Sequence, residues 1–189
     1  MARNDERRAR LTDAGLELLA DEGARGLTHR GIDKAAGVPA GTTSNYFATR
    51  DALVAGLVER IGERLAPRPE VLRELAGREP TRELFAAYMR DIVTRLLGNR
   101  KVAVALYELR LEATRRPEIA KVMGDWQREA FAADVAFNDA AGLPGGRREV
   151  ALFHYAIEGL LFDRLTTPID EGTPTDEIID DLVAGLLPG

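Results

Sequence analysis

Apolar residues in the first third of the chain recur at three- and four-residue spacing, in short segments separated by strong turn signals. Thr28 is a good N-cap for a helix that begins at His29. Leu27, just before this cap, can pack on Ile32 inside the helix and fix the direction in which the chain enters. Gly37 can adopt the left-handed conformation that ends a helix. The pattern therefore predicts a short helix between Thr28 and Gly37.

A second short helix should follow this turn almost at once. Pro39 biases Val38 away from helical geometry and suits a first helical position, so we expect the second helix from about Pro39 to Phe47. Thr49 then caps a longer helix that has Asp51 in its first turn. The apolar residues of that helix follow a three-and-four spacing, at Val54, Val58, Ile61 and Leu65. Two short helices joined by so tight a turn must cross steeply, which predicts a helix-turn-helix of the kind that binds DNA.

The rest of the chain predicts further helices and no other element. The segment after Leu65 is rich in proline and charge, and we interpret it as a connection that contains one short helix and a domain boundary. Caps, prolines and glycines then delimit five longer helices. These are expected at residues 81–99, 101–115, 117–141, 147–166 and 175–187. A chain of 189 residues with this pattern predicts an all-α fold, with one small and one larger helical domain.

The segment GLTHRGIDKAAGVPAGTTSNYFATRDAL, at residues 26–53, resembles the N-terminal domain of TetR/AcrR-type transcriptional regulators over nearly its whole length. In that family one amphipathic helix precedes the segment. Here residues 5–22 supply such a helix, which should end at Gly23. Its apolar face consists of Leu11, Ala14, Leu18 and Leu19. Order, spacing and caps all agree with the resemblance.

The resemblance implies a sequence-specific transcriptional regulator, a repressor that a small-molecule effector releases from its operator. Residues 1–50 would form a three-helix DNA-binding domain with the helix-turn-helix, and residues 51–66 a connecting fourth helix. Residues 67–189 would form a helical domain for effector binding and dimerisation. The implied partners are double-stranded operator DNA, an unidentified small molecule and a second subunit, bound through the last two helices of a homodimer.

The second helix of the motif offers short side chains that let its backbone approach the floor of a DNA groove. Asn45 can pair with the N7 and N6 edge of adenine, and the methyl group of Thr42 can touch a thymine methyl. The resemblance adds Thr28, Tyr46 and Arg50 as phosphate contacts, although Tyr46 also fits a partly buried core aromatic. The complete set of expected DNA-binding residues is Thr28, His29, Arg30, Pro39, Ala40, Gly41, Thr42, Thr43, Ser44, Asn45, Tyr46 and Arg50.

Some positions of the motif depart from the family pattern. Pro39 stands where a capping Ser or Thr is common, and Thr43 and Ser44 stand where Leu and Tyr are common. Phe47 matches the apolar residue that anchors this helix to the domain core. The recognition surface is therefore expected to be smaller and more polar than is usual in the family.

Charge is distributed unevenly around the net value of -5. Residues 1–66 hold ten basic and ten acidic residues, whereas residues 67–189 hold 16 and 21, so the acidity lies in the C-terminal part. The basic residues near the motif and the N-terminus are Arg3, Arg7, Arg8, Arg10, Arg25, Arg30, Lys34 and Arg50. They can contact phosphates. For Arg25, Lys34 and the first four arginines, a solvated surface position is an equally good interpretation.

Large or adaptable side chains on the later helices are candidates for an effector pocket. They are Tyr88, Met89, Tyr107, Met123, Trp126, Phe131, Phe153 and His154, and each also fits plain packing in the core. Glu108 interrupts an apolar run and, if buried, would need Arg110, another helix or a cationic ligand as its partner. The alternative is a partly exposed position at the rim of its helix. His154 could bind a ligand or be satisfied in the core or an interface.

Small residues on the penultimate helix, Ala151, Ala156 and Gly159, would permit the close approach of a second subunit, and they equally fit packing within one subunit.

The sequence shows no constellation that could perform catalysis. The two histidines, His29 and His154, lie in different expected domains, and neither a G-x-S-x-G motif nor a P-loop occurs. The chain has no cysteine, which excludes disulfides and thiolate metal sites. We therefore expect no enzyme, no cofactor and no metal. The N-terminus lacks an apolar signal core and the apolar runs are short, so we expect a cytoplasmic protein that makes no membrane contact. The alternative function, a helical carrier of small molecules or lipids, leaves residues 27–53 unexplained.

Overall fold

The computed structural model describes residues 2–187, with side chains from residue 4 onward, so the predicted contact of Arg3 lies outside the described side chains. Within the described residues the chain forms helices and no strand, which confirms the all-α prediction. The helices are α1 (Ala2–Gly26), α2 (His29–Ala35), α3 (Thr42–Tyr46), α4 (Arg50–Arg64), α5 (Pro69–Ala76), α6 (Arg82–Gly98), α7 (Arg100–Ala113), α8 (Pro117–Ala140), α9 (Arg147–Leu165) and α10 (Thr175–Leu186).

Helix α1 is longer than the sequence predicts. It begins at Ala2 and, after a break at Gly23, continues to Gly26. Gly23 has a φ of 68°, so the break falls at the predicted residue, but one further turn follows it. Leu18, predicted on the apolar face, is only half-buried, whereas Leu16 is buried in its place.

The chain divides into two compact units, and the first contains residues 1–66 and 99–127. Helix α1 packs there against α2, α4 and α7. Buried apolar residues form the core of this unit, among them Leu11, Leu19, Ile32, Phe47, Leu57, Ile61 and Leu109. The sequence assigns residues 99–127 to a domain spanning 67–189, but α7 buries Val102, Ala105 and Leu106 in the core of the first unit.

Helix α4 is fixed to α1 by a close crossing and by a charged pair. A Cβ atom at Gly15 of α1 would lie 2.8 Å from Cδ2 of Leu57, so the Leu57 side chain occupies the space that the glycine leaves open. Nearby, the Asp13 carboxylate accepts hydrogen bonds from Arg60 Nη2 at 2.7 Å and from Arg64 Nη1 at 3.0 Å. The two contacts hold α4 and α1 in one arrangement.

The second unit contains residues 67–98 and 128–189. Helix α6 packs there against α5, α9 and α10. An aromatic pair lies in its core, with the ring centroids of Phe85 and Phe153 4.6 Å apart. The buried side chain of Asn138 fixes the turn before α9 by donating to the carbonyl of Gly145 at 3.2 Å.

Candidate nucleic-acid interface

Helix α2 begins and ends as its sequence predicts. The side chain of Thr28 caps it by accepting a hydrogen bond from the Gly31 amide at 3.0 Å. Its end is followed by Gly37 in the left-handed conformation, with φ 61°. The amide of Val38 donates to the carbonyl of Asp33 at 3.0 Å and closes the turn. Helix α3 follows after six residues, which completes a helix-turn-helix.

The prediction that the second helix starts near Pro39 is wrong, because α3 begins at Thr42. Gly41 has a φ of 87°, which no helical residue adopts, and Pro39 to Gly41 form a turn instead. Thr42 closes that turn by donating to the Pro39 carbonyl from its amide at 3.1 Å and from Oγ1 at 2.6 Å.

Asp33 of α2 holds the start of α3, a role that the sequence interpretation missed. Its Oδ1 accepts from the amide and the hydroxyl of Thr43, at 2.7 and 2.6 Å, and its Oδ2 accepts from the Gly41 amide at 2.7 Å. Burial alone would raise the pKa of Asp33, but the hydrogen bonds from Thr43 and Gly41 outweigh burial and hold this pKa below its usual value. The carboxylate is therefore charged and fully engaged near neutral pH.

Thr43 was expected to contact DNA, and the structure contradicts this. Its relative exposure is 0%, and its hydroxyl is bound to Asp33 inside the domain. Leucine is common at this position in the family. Here the residue is Thr43, and its partner, Asp33, is polar as well. The sequence contained a signal for this pair. Asp33 stands beside Ile32, which is buried, and Thr43 stands at a core position, so each of the two polar side chains needs a hydrogen-bond partner.

His29 lies at the other end of α3. Its Nε2 is 2.8 Å from the carbonyl oxygen of Phe47, the residue that ends α3. The carbonyl can only accept, so Nε2 donates and the tautomer of the ring is fixed. His29 is half-buried, and its hydrogen bond to the Phe47 carbonyl fixes the end of α3.

The exposed surface of the motif contains most of the expected DNA-binding residues. Thr28, Arg30, Pro39, Ala40, Gly41, Ser44 and Asn45 are exposed, and His29, Thr42, Tyr46 and Arg50 are half-buried. The exposed side chains of α3 are short, apart from that of Asn45, which carries an amide. The surface is therefore compatible with close approach to a DNA groove.

Arg50, the first residue of α4, reaches back to the motif. Its Nη1 donates to the carbonyl of Leu27 at 3.4 Å, while its buried Nε has no hydrogen-bond partner within the described residues. Thr49 caps the same helix end by accepting from the Ala52 amide at 3.1 Å, as predicted. Arg50 thus lies where the unpaired amides of a helix N-terminus favour an anion.

The candidate pocket residues are distributed over both compact units. In the first unit, Met123 is buried in the core and Trp126 packs half-buried against it. Glu108 is half-buried, which favours the rim position, and its Oε2 lies 3.5 Å from where a Cβ of Gly23 would be. The ring of Tyr107 is half-buried as well, 5.8 Å from the guanidinium carbon of Arg110.

The remaining candidates belong to the second unit. Tyr88 is buried and meets Phe137 edge to face at 5.1 Å, and Met89 is half-buried against the same core. Phe131 packs against His154 at 5.4 Å between centroids. The Nε2 of His154 is 3.0 Å from Asp134 Oδ2, so this histidine belongs to a half-exposed polar pair. Within each unit these residues have protein contacts, and their role toward an effector stays a prediction.

These features define a helix-turn-helix DNA-binding protein with a helical C-terminal part. The family model for bacterial regulatory proteins of the tetR family matches residues 11–57, and a model for the tetracyclin repressor-like C-terminal domain matches residues 80–189. The chain therefore belongs to the TetR family and is a DNA-binding transcriptional regulator, as the resemblance predicts. A comparison with curated proteins gives no significant match.

Solved structures of similar proteins cover almost the whole chain. A TetR-family member from Streptomyces coelicolor A3 is 28% identical, with a TM-score of 0.69 over 97% of this chain and 99% of the other. The multidrug binding protein EbrR in complex with ethidium is 27% identical, with a TM-score of 0.70 over the same shares. A transcriptional regulator from Rhodococcus sp. Rha1, 19% identical with a TM-score of 0.69 over 95% of both chains, shares the fold. Among the described residues we find no helix with the length and hydropathy that a membrane span requires.

Proposed function

We propose that this regulator is a repressor that reads operator DNA with α3 and leaves the operator when a small-molecule effector binds. The observation that carries this proposal is the construction of α3, whose exposed face presents Ser44 and Asn45 while α2 holds both of its ends. A protein with this role works without catalysis, and it works where the chromosome is, in the bacterial cytoplasm. A carrier without DNA function would have no use for such a motif.

The charges of the two compact units support DNA binding by the first unit and not by the second. The first unit, which contains the motif, holds 16 basic and 14 acidic residues, whereas the second holds ten and 17. DNA attracts the first unit through its phosphates and repels the second. Residues 1–50 are proposed as the DNA-binding domain, residues 51–66 as the connecting helix, and residues 67–189 as the source of effector binding and dimerisation, with residues 99–127 of that part packed in the first unit.

We propose a homodimer through α9 and α10. Tyr155 and Phe162 lie seven residues apart on α9, so they share one face of the helix, and they are 74% and 50% exposed. Gly159 lies between them, and a Cβ atom there would meet no other atom within 4 Å. An exposed face with two large aromatics and a gap between them suits helix packing across a two-fold axis.

For the effector we propose planar or extended aromatic cations. Structures of EbrR, which is 26–27% identical to this chain in these comparisons, contain ethidium, proflavin and malachite green. The second unit of this chain combines an excess of acidic residues with the aromatic side chains of Phe85, Tyr88 and Phe153. Aromatic faces and a negative field both favour an aromatic cation.

Release is proposed to work through α4. This helix is joined to α1 by Asp13 and to the motif by Arg50, and it also packs against α7. A shift of α4 would therefore carry the reading helix with it and change the spacing of the two α3 helices in a dimer. Crystal structures with and without effector, showing the same separation of the α3 helices, would contradict this mechanism.

The effector proposal can be tested through the absorption of the dyes, which changes when they pass from water into a protein site. Titration of malachite green with the DNA-free protein should shift the absorption band of the dye saturably, and a neutral aromatic of similar size should not displace the dye. The dye should then release labelled operator DNA from the protein, with a control for its binding to DNA alone. Absence of saturable binding for malachite green, ethidium and proflavin would contradict the proposed effector class and leave the DNA-binding role intact.

A further inference from the structure

Two side chains of α2 hold the reading helix at both of its ends. Asp33 binds the start of α3 through Gly41 and Thr43, and His29 binds its end through the Phe47 carbonyl. His29 and Asp33 are four residues apart, so they lie on the same face of α2. One face of α2 therefore spans the whole of α3.

We propose that Asp33 and His29 are positioning residues for operator recognition: they fix the orientation of α3 and thereby the sequence selectivity of Asn45, without touching a base. This inference rests on the proposed function of α3 as the reading helix. It assigns selectivity to two side chains that lie on the other helix of the motif.

The shortness of α3 makes such support necessary. A helix of five residues is far below the length at which an isolated helix is stable in water. Its one buried side chain is that of Thr43, which is polar; Tyr46 packs only half-buried against the core, and the fully buried Phe47 lies beyond the last turn. Apolar contacts are not directional, whereas hydrogen bonds are. The orientation of α3 therefore depends on the bonds from α2.

The chemistry of Asp33 explains why only a carboxylate serves here. Three donors converge on its two oxygens, from the Gly41 amide, the Thr43 amide and the Thr43 hydroxyl. Asparagine has the same shape but only one acceptor oxygen, and its amide group would turn a donor toward one of these donors. Bonds to a charged acceptor are also stronger than neutral ones. Asp33→Asn should therefore loosen the start of α3 while the volume at this position stays the same.

The test measures selectivity separately from affinity. An operator is selected from random duplex DNA with the wild-type protein, and binding to it and to a shuffled duplex is measured for each variant, well below the variant's melting temperature. We expect Asp33→Asn to lower the ratio of the two affinities by about tenfold or more, while binding to shuffled DNA changes by less than about threefold. His29→Ala should lower the ratio in the same direction.

Thr43 provides the matched pair of controls. Thr43→Val keeps the shape and removes the hydroxyl, so the ratio should fall, whereas Thr43→Ser keeps the hydroxyl and should stay within about threefold of the wild type. Hydrogen exchange should also become faster at the amides of Gly41 and Thr43 in Asp33→Asn, and should not change in the core of α1.

A folded Asp33→Asn variant with an unchanged affinity ratio would overturn the inference. An equal loss for both DNAs would overturn it as well, because that result indicates general destabilisation. If Asp33→Asn does not fold, the Thr43→Val and Thr43→Ser ratios decide the question by the same criterion. If the wild-type protein itself does not distinguish operator from shuffled DNA, the proposed function of α3 is wrong. The inference about Asp33 and His29 is then wrong as well.

Discussion

Gly56 of α4 lies directly against the ring of Phe47, the residue that follows the reading helix. A Cβ atom at Gly56 would lie 2.5 Å from Cε1 of that ring. The guanidinium of Arg8 lies on the ring as well, 4.7 Å from its centroid. Phe47 is 1% exposed, so it has no space into which it could move freely. The absence of a side chain at Gly56 therefore determines where the end of α3 can lie.

The first prediction concerns this contact. Gly56→Ala should destabilise the protein by about 1–3 kcal/mol, because the added methyl group forces the Phe47 ring out of its place. The end of α3 should move with the ring, so binding to operator DNA should weaken too. Thermal or urea unfolding and DNA binding measure the two effects.

Gly62 provides the matched control for Gly56, since both glycines lie in α4. A Cβ atom at Gly62 would lie 3.6 Å from Trp126 Nε1, which is an ordinary contact. Gly62→Ala should therefore stabilise the helix by about 0.5–1 kcal/mol and leave DNA binding unchanged. If the two substitutions change the free energy of unfolding by the same amount, the contact between Gly56 and Phe47 does not contribute to stability.

The second prediction concerns stability in acid. Burial alone would raise the pKa of Asp13, but its hydrogen bonds and attraction to Arg60 and Arg64 outweigh burial and lower this pKa. A lowered carboxyl pKa contributes stability above the unfolded-state value of about 3.9, and the contribution is lost as pH falls through the folded-state value.

Asp13→Asn should therefore be less stable than the wild type at pH 7, and this deficit should shrink when the pH falls below about 4. Urea unfolding of both proteins at neutral pH and at several acidic pH values measures the difference. A deficit that is the same at all pH values would contradict a role for the ionised carboxylate of Asp13.

The sequence predicted those parts of the motif whose conformation depends only on neighbouring residues. Thr28 and Thr49 cap their helices, and Gly37 ends α2 in the left-handed conformation. The start of α3 could not be predicted in this way, because it depends on Asp33, eight and ten residues before the amides that it binds. A side-chain bond over this distance overrides the preference of a proline for a first helical position.

The candidate pocket shows the same limit of sequence patterns. Periodicity indicates that Tyr88 and Met123 face a core, and both are buried. Periodicity does not indicate which core, and the two residues lie in different compact units. That choice depends on which helices pack together, and α7 packs on α1 although the two are far apart in sequence.

The third prediction separates base reading from phosphate contact. Asn45→Ala should relax sequence preference, because the amide that can pair with adenine is lost. Arg50→Ala should weaken binding to all DNA and reduce the salt slope by about one, because a phosphate contact is lost. Arg73→Ala, at an exposed position of α5, serves as the control for charge alone. If Asn45→Ala and Arg50→Ala reduce selectivity to the same extent, the assigned roles are incorrect.

The fourth prediction concerns the dimer. Phe162→Glu should convert the proposed dimer to monomer, because it places a charge in an apolar helix interface. Leu111→Glu is the control, since Leu111 is also 50% exposed but lies on α7. Sedimentation velocity over a range of concentrations distinguishes the two states. A Phe162→Glu protein that sediments as the wild type does would contradict an interface on this face of α9.

Cross-linking between α3 and DNA tests the central claim of the account most directly. The chain contains no cysteine, so Asn45→Cys and the control Glu129→Cys each carry a single thiol. Each thiol is joined to a short photoactivated cross-linker and irradiated with operator DNA selected from random duplexes. A cross-link is expected from position 45 to bases of the operator, and none is expected from position 129. Because Asn45→Cys removes the base-reading amide, shuffled DNA bound by this variant should be cross-linked as well. Binding of the operator without a cross-link from position 45 would contradict the assignment of α3 as the reading helix.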